Sequence, residues 1–182
     1  DPETPLDETM GALAQAVRSG KALYVGLSNY DGELMKRACE ILTDLHCPFV
    51  INQNRYSIFD RTIENNGLKR ESVNLRRGII AFSPLAQGML TDRYLNGIPE
   101  DSRIKKDGRF LKESALTEDK LESIRGLAAV AETRGQTLAE MALAWILRDG
   151  AVTSVLIGAS KPSQITENIK AIENTHFSAE EL

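Results

Sequence analysis

The sequence predicts an α/β fold with a parallel sheet, and three observations lead to this prediction. Short apolar runs alternate with longer segments whose apolar residues recur at helical spacing. The short runs, such as Ile79–Phe82, contain no polar position, which is typical of strands that are buried on both faces. Helical segments link the successive strands, as they do in parallel sheets.

Three helices and three strands are expected in the first part of the chain. Gly20 follows the first amphipathic segment, at the position where a helix commonly ends in left-handed backbone. The first two strands end in the polar pairs Ser28-Asn29 and Asn52-Gln53. In chain order, we expect a helix over about residues 7–18, a strand over 22–27, a helix over 32–45, a strand over 49–51, a helix over 64–75 and a strand that begins at Gly78.

The second part of the chain opens on an insertion where a helix would be expected. The strand that ends at Phe82 is followed by SPLAQG, and no long helical pattern appears for about thirty residues. The helix that begins at Thr137 has a capping box, since Glu140 stands three residues later. The remaining elements are a helix from about residue 121 to Gly135, the helix from Thr137 to Gly150, a strand over 154–157 and a helix from Pro162 to about Ile172.

Four such strands with their helices correspond to half of an eight-stranded parallel barrel. No break in composition divides the chain, so residues 1–182 are expected to form a single domain. Both ends suggest an interrupted chain, since the last residues start a further capping box at Ser178 and Glu181. A half-barrel leaves two strand edges unpaired, so either the missing barrel half or a second copy of the chain is expected as a partner.

The composition argues against several classes of protein. A formal net charge of −4 gives no general attraction to nucleic acid or to anionic membranes. No apolar run approaches the roughly twenty residues of a membrane span, and the first residues do not resemble a secretory signal. Cys39 and Cys47 are expected about two helical turns apart, too far for a disulfide. Two buried free thiols predict a reducing compartment, most simply the cytoplasm.

The residues at the predicted strand ends are suited to holding a ligand. Ligands of parallel α/β folds bind beyond the carboxyl ends of the strands. Here those ends carry amides and hydroxyls, the Phe82 ring and Gly158, and no histidine, lysine or carboxylate. Amides can orient a ligand and an aromatic face can pack on a heterocycle. The helix start after Gly158 offers amides to an anion, and Arg93 and Arg103 could bind phosphate.

Each of these residues also has a purely structural interpretation. Ser28-Asn29 and Gln53-Asn54 can be turn formers, Phe82 can be core, and Ser160 can cap its helix. Arg93 and Arg103 can be solvated surface charges. His46 and His176 fall away from the strand ends. Tyr56 has no adjacent lysine or carboxylate in the sequence, and both Tyr30 and Tyr56 are expected to pack. No metal-ligand cluster, Gly-rich dinucleotide motif or P-loop is present in the sequence.

Four blocks of the sequence together resemble the aldo-keto reductases, a family of (β/α)₈ enzymes that use NADPH without a Gly-x-Gly-x-x-Gly motif. The blocks are VGLSN, INQ, AFSPLAQGML with RYLNGIPEDSR, and IGASKPSQITENI, in that order over nearly the whole chain. The resemblance implies a TIM-barrel type fold in which this chain covers about strands five to eight. The last two blocks are most similar to the branch with potassium-channel β-subunits and bacterial glyceraldehyde-3-phosphate-type reductases.

The resemblance implies a set of NADP(H)-binding residues. Ser28, Asn29 and Gln53 would hold the nicotinamide carboxamide, and Phe82 would stack on the nicotinamide ring. The pyrophosphate would be wrapped by Ser83, Pro84, Leu85, Gln87 and Gly88, with Arg93 and Arg103 in a closing loop. The adenosine end would be held by Gly158, Ser160, Gln164, Glu167 and Asn168, with Lys161 near the 2′-phosphate.

The catalytic Asp, Tyr, Lys and His of the family stand on its first four strands, so no catalytic residue is assigned in this sequence. The resemblance implies NADPH-dependent reduction of a small-molecule aldehyde or ketone, to which this chain supplies the cofactor-binding half. Alone, the chain is expected to have very weak activity or none. The alternative is a non-catalytic dinucleotide-binding or assembly module of the channel β-subunit type. A structural half-barrel dimer without nucleotide binding is a third hypothesis.

Overall fold

The computed structural model describes residues 3–95, 97–98 and 113–182. These residues fall into two compact units. The first unit comprises Asp1–Tyr56, Arg61–Phe82 and Gly150–Ser154, and the second comprises Ser57–Asp60, Ser83–Asp149 and Val155–Leu182. Arg103 lies outside the described residues.

Strands and helices alternate as the sequence predicts. The strands are β1 Val25–Ser28, β2 Phe49–Arg55, β3 Gly78–Phe82 and β4 Ser154–Val155. The helices are α1 Leu6–Arg18, α2 Gly32–Asp44, α3 Thr62–Asn65, α4 Leu68–Asn74, α5 Glu118–Thr133, α6 Leu138–Leu147 and α7 Pro162–Ile169. Short 3₁₀ segments occupy Ala86–Gly88, Asp92–Tyr94, Glu113–Ala115 and Lys170–Glu173.

A parallel sheet forms the centre of the first unit. The sheet order is β1-β2-β3-β4, and both β1 with β2 and β2 with β3 pair in parallel. Thr153, just before β4, donates its N–H to the Ile79 carbonyl oxygen over 2.9 Å. Helix α2 packs against α1 and α4 and buries Met35 and Leu42 completely. The predicted parallel arrangement is therefore present.

One face of this sheet is less buried than the sequence predicts. The side chains of Val25 and Leu27 are buried, whereas Ser28 is exposed and Gln53 and Phe82 are half-buried. The expectation that the strands are buried on both faces is thus wrong for this unit, because the helices of the unit cover the other face. Of the polar residues predicted at the strand ends, Ser28 and Gln53 lie on the more open face.

The helix predicted over about residues 64–75 is two helices, α3 and α4. Gly67 separates them with left-handed backbone, φ 80°. The Gly67 backbone passes so close to Gly32 that a Cβ atom on Gly32 would lie 2.5 Å from the Gly67 carbonyl carbon. Gly32 also donates its N–H to the Asn66 carbonyl oxygen over 3.1 Å. A contact between residues this distant in sequence gives no local signal, which is why periodicity alone missed the break.

Four strand and helix boundaries also differ from prediction. Strand β1 starts at Val25, since Leu23 and Tyr24 precede the ladder with exposed side chains. Strand β2 continues through its polar residues to Arg55, because each of them pairs with a residue of β3. The last strand ends at Val155 and α7 ends at Ile169, where the chain continues as a 3₁₀ segment.

Helices α5 and α6 provide the core of the second unit. Ile124 and Ala131 of α5 pack with Leu138 and Met141 of α6 in one buried cluster. The predicted capping box is present, since Glu140 donates its N–H to Thr137 Oγ1 and its carboxylate accepts the Thr137 N–H. The sequence signal and the structure agree here because both hydrogen bonds are local.

The side chain of Arg134 joins the end of α5 to the last residues of the chain. It is only 3% exposed and lies 2.8 Å from the Glu181 carboxylate. It also donates to the Asn174 carbonyl oxygen over 3.1 Å, and its guanidinium carbon lies 3.7 Å from the Phe177 ring centroid. Hydrogen bonds from the Ser178 N–H and from Arg134 lower the pKa of Glu181. This cluster fastens the terminal segment to the unit.

Cys39 and Cys47 are both buried and free, as the sequence predicts. Burial raises the pKa of the Cys47 thiol. None of the helices in residues 3–95, 97–98 and 113–182 combines the length and apolarity needed to cross a membrane.

Candidate functional site

Four predicted cofactor residues, Ser28, Asn29, Gln53 and Phe82, lie at the carboxyl ends of β1–β3 in the first unit. We call them the strand-end set. Ser28 is in register with Gln53 and donates its hydroxyl to the Gln53 carbonyl oxygen over 3.0 Å. Asn29 donates its N–H to the same oxygen over 2.9 Å and has left-handed backbone, φ 61°. The main chain of Gln53 therefore fixes the end of β1.

The neighbouring amides of β2 point to the opposite face of the sheet. Asn52 and Asn54 are both buried, and each donates its Nδ2 to the Tyr30 carbonyl oxygen over 3.2 Å. Their buried Oδ1 atoms accept no hydrogen bond in the described part of the chain. Asn54 is thus a strand residue, paired with Ala81, that positions the loop after β1, and the alternative interpretation of Asn54 as a turn former does not apply. Gln53 remains on the open face, where its side chain is half-buried.

A pocket of about 900 Å³ lies within the second unit. Its volume is in the range of ordinary ligand sites. The segment after β3 and the segment around the start of α7 both line it. The predicted cofactor residues that line the pocket are Ser83, Pro84, Leu85, Gln87, Gly88, Arg93, Gly158, Ser160, Gln164, Glu167 and Asn168. The structure thus brings together two segments that are about 70 residues apart in the sequence.

The segment after Phe82 owes its irregular path to left-handed backbone. Ser83, Ala86 and Gln87 have φ values of 53°, 47° and 62°, and Gly88 has a φ of 95°. Non-glycine residues rarely adopt this conformation, and such residues cluster at ligand sites. The segment is closed by hydrogen bonds from Gly88 N–H to Leu85 O over 2.8 Å and from Thr91 Oγ1 to Gly88 O over 2.7 Å. These turns keep the chain at the pocket where a helix would have led it away.

The start of α7 is closed by the side chain of Gln164. Its Oε1 atom accepts from the Ser160 N–H over 2.7 Å, from the Lys161 N–H over 3.2 Å and from the Ser160 hydroxyl over 3.2 Å. Two amides of the segment that was expected to bind an anion, those of Ser160 and Lys161, therefore already donate to Gln164. Ser160 also does not cap the helix as an acceptor, since its hydroxyl donates to Gln164. A ligand phosphate would have to displace the amide or bind beside it.

The other predicted residues fall outside this pocket. The strand-end set belongs to the first unit, Lys161 does not line the pocket, and Arg103 is not described. Sequence reasoning missed several lining residues, among them Asp92, Tyr94, Thr137 and Leu156. Asp92 and Tyr94 flank the predicted Arg93, and this adjacency could have identified them as pocket-lining residues. The sequence predicted Thr137 only as a helix cap and gave no indication that it lines a pocket.

Tyr56 has the charged neighbours that the sequence interpretation denied it. It is completely buried and donates its hydroxyl to Glu64, while the Lys69 ammonium lies 5.5 Å from its ring centroid. Glu64 also accepts from Arg61, and this hydrogen bond raises the pKa of the Arg61 guanidinium. The neighbours come from α3 and α4, so sequence adjacency did not reveal them. Burial still makes Tyr56 a packing residue.

The model of the aldo/keto reductase family matches residues 1–182, the whole chain. The chain belongs to the aldo/keto reductase family. The L-glyceraldehyde 3-phosphate reductase of Escherichia coli strain K12 is 49% identical and covers 100% of this chain, which spans 54% of that protein. A putative voltage-gated potassium channel subunit beta of Schizosaccharomyces pombe is 35% identical over 95% of this chain and 52% of its own length. Both branches expected from the last two sequence blocks are represented.

Solved aldo/keto reductases share the fold. A thermostable aldo-keto reductase in complex with the inhibitor epalrestat is 29% identical with a TM-score of 0.72, over 100% of this chain and 54% of its own. The glycerol dehydrogenase of Gluconobacter oxydans is 27% identical with a TM-score of 0.77, over 100% of this chain and 53% of its own. These comparisons confirm the predicted fold class, an α/β chain that covers part of a (β/α)₈ barrel. The chain spans about half the length of the curated relatives it matches.

Proposed function

We propose that this chain binds NADP(H) and supplies the cofactor-binding part of an enzyme that reduces small-molecule aldehydes or ketones. The observation that carries the proposal is the second-unit pocket, which collects residues of both blocks that resemble the pyrophosphate- and adenosine-binding segments of the family. NADPH, when bound, supplies a hydride to the carbonyl carbon of the substrate.

The residues of the pocket fit the polar part of a dinucleotide. A volume of about 900 Å³ accommodates a ligand of that size class. Arg93 can form charge-assisted hydrogen bonds with phosphate, and the turns at Ser83–Gly88 bring backbone close to the pocket. Leu156 and Ile157 add apolar surface for a heterocycle. For the nicotinamide ring we assign the strand-end set of the first unit, since amides and an aromatic face share one open sheet face there.

In this proposal the chain alone binds the cofactor and does not catalyse the reduction. Its residues orient the cofactor, while the family's acid, the tyrosine that protonates the carbonyl oxygen, corresponds to no residue here. We therefore propose that a partner, either the missing barrel half or a second copy, is needed for turnover, and that the protein acts in the cytoplasm. The substrate is a small carbonyl compound, as the name of the Escherichia coli relative suggests.

The direct test is a fluorescence titration of the chain with NADPH and with NADH. We expect NADPH to bind and Arg93→Met to raise the Kd of both cofactors, because they share the pyrophosphate. A larger rise for NADPH than for NADH would mean that Arg93 also meets the 2′-phosphate. Arg125→Met is the matched control, since Arg125 is an exposed arginine of α5 that pairs with Glu118 away from the pocket. Equal losses for the two cofactors would remove Arg93 from the 2′-phosphate, and no binding at millimolar concentration would refute the proposal.

A second function is favoured by the relative from Schizosaccharomyces pombe, whose name describes a channel subunit. The chain would then bind the dinucleotide without catalysis and serve assembly. Adding a protein that supplies the first four strands of the family separates the two functions. Restored aldehyde reduction supports the enzyme, whereas assembly with continued inactivity supports the module.

A further inference from the structure

Arg55 places a positive charge beside the Phe82 ring. It is the last residue of β2, its Cα is in register with Phe82 of β3, and its guanidinium carbon lies 5.8 Å from the ring centroid. Its side chain is exposed and forms no salt bridge with any described residue. A guanidinium stays protonated at every physiological pH, so this charge is permanent.

None of the described strand residues on the same sheet face carries a negative charge that would compensate for Arg55. Side chains alternate between the two faces of a strand, so Arg55 shares its face with Gln53 and, through the register, with Ser28, Ile80 and Phe82. All four are uncharged. On the opposite face, Asn52 and Asn54 carry no charge either. A ligand ring that packs against Phe82 therefore meets an unneutralised cation within roughly one Debye length.

We propose that Arg55 makes the chain bind the reduced cofactor more tightly than the oxidised one. The inference rests on the proposed function, in which the nicotinamide packs against Phe82. The oxidised nicotinamide ring carries a positive charge and the reduced ring carries none. Arg55 repels the first and leaves the second unaffected. The same repulsion would help the oxidised cofactor to dissociate after hydride transfer.

The test measures the dissociation constants of NADPH and NADP⁺ for the chain itself, with NADPH fluorescence for the first and competition for the second. Arg55→Met removes the charge and keeps the apolar stem. We expect it to lower the ratio of the NADP⁺ constant to the NADPH constant by about three- to tenfold. Arg55→Lys retains the charge and should keep most of the ratio. Raising the salt from about 0.05 M to about 0.5 M should lower the ratio in the unmodified chain.

Arg77→Met is a matched control, because the Arg77 guanidinium carbon also lies 5.8 Å from a phenylalanine ring, that of Phe49 at the opposite end of β2. It should leave the ratio unchanged. An unchanged ratio in Arg55→Met, or an equal shift in Arg77→Met, overturns the inference. Equal weakening of both cofactors in Arg55→Met also overturns it, since Arg55 would then bind phosphate.

The inference and the proposed function fail in different ways. If the unmodified chain binds neither cofactor, both are refuted. If it binds both and Phe82→Leu weakens NADPH, the placement of the nicotinamide stands and the Arg55→Met ratio alone decides the inference. If Phe82→Leu leaves both constants unchanged, the nicotinamide lies elsewhere. The inference is then refuted, whereas the proposed binding in the second-unit pocket is not.

Discussion

In the first unit the polar residues at the strand ends are placed by backbone pairing, whereas in the second unit side chains fasten the segments around the pocket. Ser28 and Asn29 both donate to the backbone of Gln53, whose position the ladder of β1–β3 sets. In the second unit, Gln164 holds the start of α7 and Arg134 holds the last segment of the chain.

The difference predicts which residues each unit tolerates losing. A ladder uses main-chain groups, which a substitution does not remove, so the first unit should be most sensitive where two backbones approach closely. The second unit should be most sensitive at a few buried polar side chains, because each satisfies several partners at once. Four predictions test this contrast, in order of decreasing effect.

The largest effect is expected for Arg134→Ala in the second unit. The variant loses the contacts with Glu181, Asn174 and the Phe177 ring and should lower the free energy of unfolding by about 2–4 kcal/mol. Denaturant unfolding followed by the fluorescence of Trp145, the single tryptophan, reports on this unit.

Arg125→Ala is the control for that prediction. Arg125 lies 2.8 Å from Glu118, the same distance as in the Arg134 pair, but its side chain is 53% exposed. Its loss should change the free energy of unfolding by less than about 0.5 kcal/mol. Equal effects of the two variants would mean that burial does not decide the contribution of these pairs.

A smaller effect is expected for Gly32→Ala in the first unit. The new Cβ would lie 2.5 Å from the Gly67 carbonyl carbon, so backbone must move, at a cost of about 1–3 kcal/mol. Gly11→Ala is the control, since Gly11 lies inside α1 with no heavy atom within 4 Å of a Cβ. It should stabilise the chain by about 0.5–1 kcal/mol. Thermal unfolding followed by circular dichroism measures both, and a neutral Gly32→Ala would contradict the close approach.

The variant Gln164→Glu should separate folding from binding in the second unit. A carboxylate accepts the same three hydrogen bonds at the start of α7 and should stabilise it by about 0.3–1 kcal/mol. The added negative charge in the pocket should weaken NADPH binding severalfold. Ser163→Glu adds the same charge to the same turn at a residue that does not line the pocket, so it should weaken binding less. Equal weakening by both would argue against a phosphate near Gln164.

The smallest effect is expected for the stability of Glu181→Gln at acidic pH. The pKa of Glu181 is lowered in the folded chain, so its contribution is present above the pKa of the unfolded chain, about 4.3, and is lost as the pH falls through the lower folded value. Acid unfolding followed by Trp145 should therefore be less steep in Glu181→Gln. Glu118→Gln removes a carboxylate that is 75% exposed and should leave the curve unchanged.

Most elements of the fold could be predicted because their signals are local. Apolar periodicity predicted α1 and α2, an unbroken apolar run predicted β3, and the spacing of Thr137 and Glu140 predicted the start of α6. What was missed depends on distant partners. Gly67 breaks a helix because of Gly32, the polar residues of β2 continue a strand because of β3, and Tyr56 meets Glu64 and Lys69 from later helices.

The candidate site was predicted to a different extent in its two parts. The residues of the second-unit pocket came from resemblance, since no local rule joins Ser83–Gly88 to Gly158–Asn168 across the intervening chain. The state of the α7 start was missed because a helix start predicts open amides, and only the rotamer of Gln164 shows that they are taken. The contact of Arg55 with Phe82 depends on the register of β2 and β3, which no sequence pattern encodes.

The alkylation rate of the buried Cys47 thiol can measure local opening of the first unit. Only the thiolate reacts with an alkylating reagent, and burial both raises the thiol pKa and denies the reagent access. Labelling of the native chain must then await a local opening, so its rate reports how often this part of the unit opens. The labelling rate of Cys47 reports the opening of the first unit, and the fluorescence of Trp145 reports the unfolding of the second. The two units can therefore be followed separately with residues that the chain already contains.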